Sequence, residues 1–407
     1  MCPVKKVGGS GILVSRAIAA RTLMIGPGSA AYDAFCLRRL ALQHSKIARF
    51  SILALTVSAC SVFTPSGGGG GTEPLGPTTP TGCLPTPSPH LAPGGYYTNG
   101  NTVCTAANQP HLFHGVDRPS LEWSSLGENM VADDFTLMAS WKANVVRIAL
   151  NQDFWLSDSE FYSTGYAALV DNAIGWAEAA GMDVILDLHW SDRGDIGSCA
   201  PNLGCQQLMA DANSITFWTE VATRYKGDGR VLFELYNEPH DVAWSIWKSG
   251  GTTSQGWNAV GMQQMYNAVR ATGAENLVVI GGLYWAFDLS GVAGYRVAGY
   301  NIMYATHPYG NYADRASSTW DHAFGALTFT DPVIVTEFGD SSNCDGSYSQ
   351  SLINYADLHN ASWTAWAWYY GGWHTHDGGC GFPSLIDDWA GTPSSAGMVV
   401  KTALAGY

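Results

Sequence analysis

The stretch Val-Leu-Phe-Glu-Leu-Tyr-Asn-Glu-Pro-His-Asp, residues 231–241, runs from an apolar strand into a polar cluster. Residues 231–236 suit a strand buried on both faces, and Asn237, Glu238, His240 and Asp241 gather around Pro239, which cannot continue it. The pattern recurs: strand candidates fall at 112–116, 144–150, 183–189, 231–236, 276–281, 301–307, 332–338 and 362–369. Helix candidates alternate with them at 128–142, 164–180, 211–225, 256–272, 285–289, 314–327, 347–360 and 393–404. Eight such pairs over roughly 300 residues predict an α/β fold of the (β/α)8 TIM-barrel type, in preference to an open doubly wound sheet. In front of it, Asn99-Gly100 between two short β-prone runs signals an N-terminal β-hairpin.

A barrel of this kind collects its reactive groups at the C-terminal ends of its strands, where the βα loops gather. Polar or aromatic groups stand there in this chain: Arg147, His189, Asn237 with Glu238, His307 with Tyr309, Glu337, and Trp366. Burying such groups is costly unless they partner one another, so they read as a constellation. Glu238 and Glu337, three strands apart, can face each other across the mouth. Paired carboxylates divide the work of glycosidic bond cleavage, one kept protonated to donate to the leaving oxygen and one kept ionised to attack the anomeric carbon. Arg147 near Glu337 would favour its ionised form, and a Tyr309 hydroxyl would hold its orientation. Glu238 is then expected to stay protonated beside that charge, with Asn237 placed to bond a sugar hydroxyl. Glu234 and Asp187 read as structural groups of the barrel wall. His114 and Asp117-Arg118 read either as cleft lining or as mutual partners.

Six motifs in order, Asn144-Val-Val-Arg147, Leu188-His189, Asn237-Glu238-Pro239-His240-Asp241, His307-Pro-Tyr309, Thr336-Glu337-Phe338-Gly339 and Trp363-Thr-Ala-Trp366-Ala-Trp368, resemble those of glycoside hydrolase family 5 cellulases. The resemblance covers residues 95–407. It implies Glu238 as general acid/base and Glu337 as nucleophile in a retaining double displacement. Arg147, His189, Asn237, His307, Tyr309 and Trp366 would bind substrate, with Trp366 rather than Trp368 as the sugar platform. The implied activity is that of an endo-β-1,4-glucanase on cellulose or related β-glucans, with no metal or other cofactor. A β-mannanase or mixed-linkage β-glucanase is the alternative within the family. A non-catalytic glycan-binding surface lipoprotein is the alternative outside it. Trp123, Trp155, Trp190, Trp244, Trp285 and Trp373 stand in or beside the expected βα loops as further stacking faces, and His374, His376 and Asp377 form a polar loop cluster.

The formal charge of −14 is unevenly spread. Residues 1–60 hold 8 of the 20 Lys+Arg and a single acid, Asp33, leaving 12 basic against 33 acidic residues for the rest. So acidic a body argues against a nucleic-acid partner and suits a neutral polysaccharide. All 16 Trp occur from Trp123 onward. A basic stretch at 38–49, the apolar run 51–59 and then Cys60 follow the order of an export signal, and the run is too short to span a bilayer, which takes about 20 residues. Val57-Ser58-Ala59-Cys60 resembles the lipobox of bacterial lipoproteins, which implies lipid on Cys60. The expected organisation is therefore a targeting segment at 1–59, whose first 37 residues an overextended gene start would explain, a Gly/Pro/Thr-rich tether at 60–94 and a catalytic domain at 95–407. The expected product is an exported monomer, either secreted or held at the outer membrane through Cys60 alone. Six further cysteines in an exported chain favour disulfides, by proximity Cys83 with Cys104, Cys199 with Cys205 and Cys344 with Cys380.

Overall fold

The structure, a computed structural model, describes residues 74–86, 88–191, 207–340, 343–370 and 382–407. The targeting segment, Cys60, the pair Cys199 and Cys205, Cys380, Trp373, His374, His376 and Asp377 lie outside the described residues.

Each of the eight strand candidates contributes one strand of a closed parallel barrel. The chain first forms three short antiparallel strands, β1 (Tyr96–Asn99), β2 (Thr102–Thr105) and β3 (Pro110–His111). The expected hairpin is therefore the first part of a three-stranded sheet, in which β2 also pairs with β3. The barrel follows as β4 (His114–Arg118), β5 (Val145–Asn151), β6 (Asp183–Trp190) and β7 (Val231–Glu234). A small hairpin, β8 (Gly251–Thr252) and β9 (Asn258–Ala259), interrupts the series. The barrel is completed by β10 (Val278–Gly281), β11 (Ile302–Thr306), β12 (Val333–Val335) and β13 (Ser362–Ala365). Pairing of β7 with β10 and of β13 with β4 leaves no edge. Where β4 meets β5 the backbones come so close that a Cβ on Gly115 would lie 1.8 Å from the Val145 carbonyl oxygen.

Two packing layers hold this arrangement. Outward-facing side chains such as Val146, Ile148, Val184, Leu186 and Phe233 meet the buried faces of the helices. Helix Ala212–Tyr225, capped by Asp211, lays Phe217, Trp218, Val221 and Ala222 on the barrel, and the Trp218 indole donates to the Leu235 carbonyl at 2.9 Å. Inward-facing Val145, Ile185, Leu232, Val279, Met303 and Ile334 form a separate apolar cluster in the lower barrel. Two residues further along, the same inward parity presents Arg147, Asp187, Glu234 and Thr336, all buried.

Three sequence expectations change. The helix expected at 285–289 is a tight hairpin, bridged between Gly282 and Ala286 and between Leu283 and Asp288. Tyr284, Trp285 and Ala286 at its tip have left-handed φ values of 58°, 60° and 56°, and the helix comes later at Val292–Tyr295. The helix expected at 314–327 is broken into short turns and one short helix, Trp320–Ala323, as the Thr319 hydroxyl bonds the carbonyls of Asp314 and Ala316. The stretch expected as tether is fastened to the domain from Leu75 onward: Leu75 donates to Asp321, Thr78 to the Leu358 carbonyl, and Cys83 is joined to Cys104. Among the described residues no helix is long and apolar enough to cross a membrane.

Candidate active site

Arg147 organises the barrel mouth. Its guanidinium, completely buried, donates through Nε to Glu234 at 2.5 Å and through Nη1 to Glu337 Oε1 at 2.7 Å. Nη2 reaches Asn237 Oδ1 at 2.7 Å and Asp187 at 2.9 Å, while Asp117 lies 3.7 Å from Nη1. Burial works against the charge on this arginine. The surrounding carboxylates outweigh it and hold the group well above its ordinary value.

Glu337 stands just beyond the end of β12 and is almost fully buried. Its second oxygen accepts from the Tyr309 hydroxyl at 2.7 Å. Burial alone would raise its pKa, but His307, Arg147 and His189, together with the Tyr309 hydrogen bond, bring it down to about 2. It is ionised at any physiological pH, and each oxygen keeps a lone pair beyond those given to Arg147 and Tyr309.

Glu238, beyond the end of β7, faces it. One oxygen of Glu238, one of Glu337 and one nitrogen of His307 all lie within 4.8 Å of one another. The Glu238 side chain is 18% exposed against 5% for Glu337, so it is the carboxyl more open to solvent. His307 links the two sides: Nδ1 lies 3.1 Å from Glu238 Oε1, and Nε2 lies 2.8 Å from Thr336 Oγ1, whose hydroxyl donates to Glu234 Oε1 at 2.8 Å. Burial opposes protonation of this histidine, yet Glu337, Glu234 and Glu238 raise it to about 10. His189 behaves alike: burial lowers it, and the Asp187 carboxylate at 2.7 Å dominates, lifting it to about 9. Glu238, His307 and Glu337 are also spaced as metal ligands could be.

The remaining expected residues fall around this centre. The Asn237 amide nitrogen lies 3.5 Å from His189 Nε2. Trp366 lies nearly parallel to the His189 ring at 5.5 Å and belongs to a cluster with Tyr369, Trp123 and Tyr309. Trp368 instead is fully buried among the outer helices, with its indole on Asp134 at 2.7 Å and its ring against Trp141.

Glu234 and Asp187, expected as structural groups, face inward as partners of Arg147. Strand parity with Leu232 and Ile185 carried that information, as it did for Thr336 opposite Ile334. His114 opens β4, at the opposite end of the strand from the mouth, and stacks on Tyr407 at 3.8 Å. Asp117 and Arg118 do not pair: Asp117 lies 3.0 Å from the Thr364 hydroxyl, while Arg118 binds Asp134 at 2.5 Å. Glu122, not singled out by its sequence context, is fully buried with its pKa raised to about 7, chiefly by burial. Of the loop tryptophans, Trp155 is buried against Phe217 and Tyr225, and Trp244 packs on Trp247. Trp123 and Trp190 are half-buried, and Trp285 stacks on His240 at 3.7 Å.

A closed (β/α)8 barrel whose C-terminal mouth holds two facing carboxylates, one pinned as an anion, belongs with the barrel glycoside hydrolases. The family model described as cellulase (glycosyl hydrolase family 5) matches residues 104–372, and the chain belongs to that family. Among curated relatives it is 25% identical over 294 residues to endoglucanase MaCel5A of Microbulbifer sp. (strain ALW1), covering 69% of this chain and 52% of that one. It is 26% identical over 324 residues to endoglucanase E-5 of Thermobifida fusca, covering 73% and 62%. The chain thus spans about half to three-fifths of the length of these relatives. Among solved structures, β-glucanase SdGluc5_26A of Saccharophagus degradans superposes with a TM-score of 0.63 at 23% identity, over 79% of this chain and 98% of that one. This likeness concerns the fold.

Proposed function

We propose that the chain is a retaining endo-β-1,4-glucanase acting on cellulose or related β-glucans. The observation that carries this reading is the opposition of Glu238 and Glu337 with oxygens within 4.8 Å, one carboxylate held ionised by Arg147, Tyr309 and His307. Inverting enzymes need room for a water between their carboxyls, roughly 6.5–9.5 Å, whereas retaining pairs sit about 5–5.5 Å apart. In the first step a Glu337 oxygen attacks the anomeric carbon while Glu238 gives its proton to the departing glycosidic oxygen, which leaves as a free hydroxyl. In the second, Glu238 takes a proton from water, the resulting oxygen attacks the same carbon, and the bond to Glu337 breaks. His307 positions Glu238, and Asn237, held by Arg147, meets a sugar hydroxyl. His189 and Trp366 form the wall against which the sugar lies.

The relatives named endoglucanases and the family model named cellulase support a cellulose substrate for this chain. A solved neighbour named a β-glucanase was crystallised with cellotetraose, which fits a β-glucan substrate and leaves a mixed-linkage β-glucanase as the second reading. Parallel assays on carboxymethylcellulose, lichenan and galactomannan separate these: turnover of carboxymethylcellulose supports the endo-β-1,4-glucanase reading, turnover of lichenan without carboxymethylcellulose supports the mixed-linkage reading, and high turnover of galactomannan alone overturns both. The same reading includes export through the segment at 1–59 and a lipid on Cys60. Metabolic labelling with a fatty acid, lost in Cys60→Ser, tests the anchor.

A further inference from the structure

Four carboxylates surround Arg147, and Asp117 alone takes no hydrogen from a cation. Glu234 accepts from Arg147 at 2.5 Å and from Thr336 at 2.8 Å, and Glu337 from Arg147 and Tyr309 at 2.7 Å each. Asp187 pairs through Oδ2 with Arg147 at 2.9 Å and with His189 at 2.7 Å. Asp117, on β4 and only 1% exposed, stands 3.7 Å from Arg147 Nη1, beyond hydrogen-bond reach, and its Oδ2 meets no donor among the described residues. Its one close partner there is the Thr364 hydroxyl, 3.0 Å from Oδ1. That hydroxyl has a single hydrogen and also lies 2.8 Å from the Thr336 carbonyl, which can only accept. An ionised Asp117 would compete with the carbonyl for it. A protonated Asp117 removes the competition: its O–H donates to Thr364 Oγ1, and Thr364 donates to Thr336.

We propose that Asp117 holds a proton at neutral pH and is a positioning residue, whose O–H, relayed by Thr364, fixes the Thr336 carbonyl and with it the backbone that carries Glu337. This rests on the reading of Glu337 as the nucleophile. Charge balance supports it. Arg147, His189 and His307 are cations set among Glu234, Glu337 and Asp187, so an anion at Asp117 would be a fourth against three. Burial pushes the Asp117 carboxyl well above the usual carboxylate range; Arg147 from β5 and Thr364 from β13 pull it down, while Glu337 beyond β12 and Glu234 on β7 push it further up. Tyr309, which faces it from beyond β11, is itself held neutral, first by burial. The position gives the proton its use. The Asp117 backbone carbonyl accepts from the Trp368 amide at 2.8 Å, so one residue of β4 ties β13 to the end of β12, on either side of Trp366. A neutral Asp117 leaves Arg147 Nη1 to Glu337, whereas an anion 3.7 Å from the same nitrogen would draw on it.

The proton is tested by denaturant titrations of the wild type against Asp117→Asn between about pH 5 and about pH 7. An aspartic acid protonated in the fold and ionised in the unfolded chain releases one proton on unfolding. The unfolding equilibrium constant of the wild type is therefore expected to grow about tenfold per pH unit relative to the variant. A ratio that does not change with pH would mean an ionised Asp117 in both states and would overturn the proposal; Asp117→Leu serves as a second non-titrating reference. The positioning role is read from kcat/KM on dinitrophenyl cellobioside, whose leaving group needs no proton from Glu238. Asn keeps the shape and can donate an N–H to Thr364, so Asp117→Asn is expected to lose about twofold and Asp117→Leu about tenfold. Should the leucine variant fail to fold, Thr364→Val removes the relay while leaving Asp117 in place, and is also expected to lose about tenfold. Equal losses in the asparagine and leucine variants, or wild-type kcat/KM in Thr364→Val, would overturn the positioning role. Absence of wild-type turnover on every β-glucan would instead overturn the function on which that role rests, while the unfolding ratio still decides where the proton sits.

Discussion

Along β5, β6 and β7 the barrel interior changes character within two residues. Below stand Val145, Ile185 and Leu232, and above them on the same face stand Arg147, Asp187 and Glu234. Both levels are buried, and both belong to the same inward parity. The lower level is held by area removed from water, at about 25 cal/mol per Å2, and tolerates substitution in proportion to the volume lost. The upper level consists of charges whose desolvation must be met by their neighbours, so each group there depends on the others. The same scaffold thus gives rigidity below and a poised carboxylate pair above. Bringing ions into the barrel lowers stability relative to hydrocarbon, and the return is an ionised Glu337 set against Glu238.

Removing the centre of the upper layer should give the largest effect. Glu337→Gln is expected to lower kcat by at least ~10³-fold while the protein still melts cooperatively, measured by initial rates and calorimetry on one preparation. Arg147→Met strands several carboxylates in a dry site and should cost about 3–5 kcal/mol of stability, whereas Ile185→Ala one step below should cost about 2–5 kcal/mol while leaving the pH dependence unaltered. Denaturant titrations across pH separate the two mechanisms. If Arg147→Met merely shifted the stability curve down in parallel, as expected for Ile185→Ala, the ionic description of the upper layer would fail. Tyr309→Phe removes one hydrogen bond to the Glu337 carboxylate and is expected to cost about 1.5–3 kcal/mol in transition-state stabilisation, read as a fall in kcat larger than any rise in KM.

The smallest effect concerns the wild type alone. Glu337 is held at about 2, below its ordinary value, so its contribution is present above the unfolded-state value near 4.5 and lost as pH falls toward 2. His189 and His307 are raised to about 9 and about 10, so their contributions are complete below about 6.5 and lost as pH rises through 9 and 10. The melting temperature should therefore fall on both sides of neutrality. An alkaline limb that survives unchanged in a His189→Asn/His307→Asn variant would assign that limb elsewhere.

Strand order, the closed barrel and the positions of Arg147, His189, Glu238 and Glu337 were legible because apolar runs and their polar ends are local patterns. Glu234, Asp187 and Thr336 were harder. A polar residue inside an apolar strand points to either face with equal ease on composition, and only counting in twos from Ile185 or Leu232 turns it inward. The Tyr284–Ala286 turn was not legible. Its three left-handed residues are set by long-range ties, such as Trp285 to Pro239 and Tyr284 to Asp314, that no local signal announces. Asp117 and Arg118 are adjacent in sequence but on opposite faces of β4, so their alternation, and not their proximity, determines their partners.

Double displacement at the Glu238–Glu337 pair is tested most directly by following, with proton NMR, the anomeric form of the newly formed reducing end released from borohydride-reduced cellotetraose, before mutarotation mixes the forms. Double displacement through Glu337 predicts that the β-anomer appears first and the α-anomer only at the rate of mutarotation. Initial release of the α-anomer would mean a single displacement by water, and would contradict Glu337 as the nucleophile.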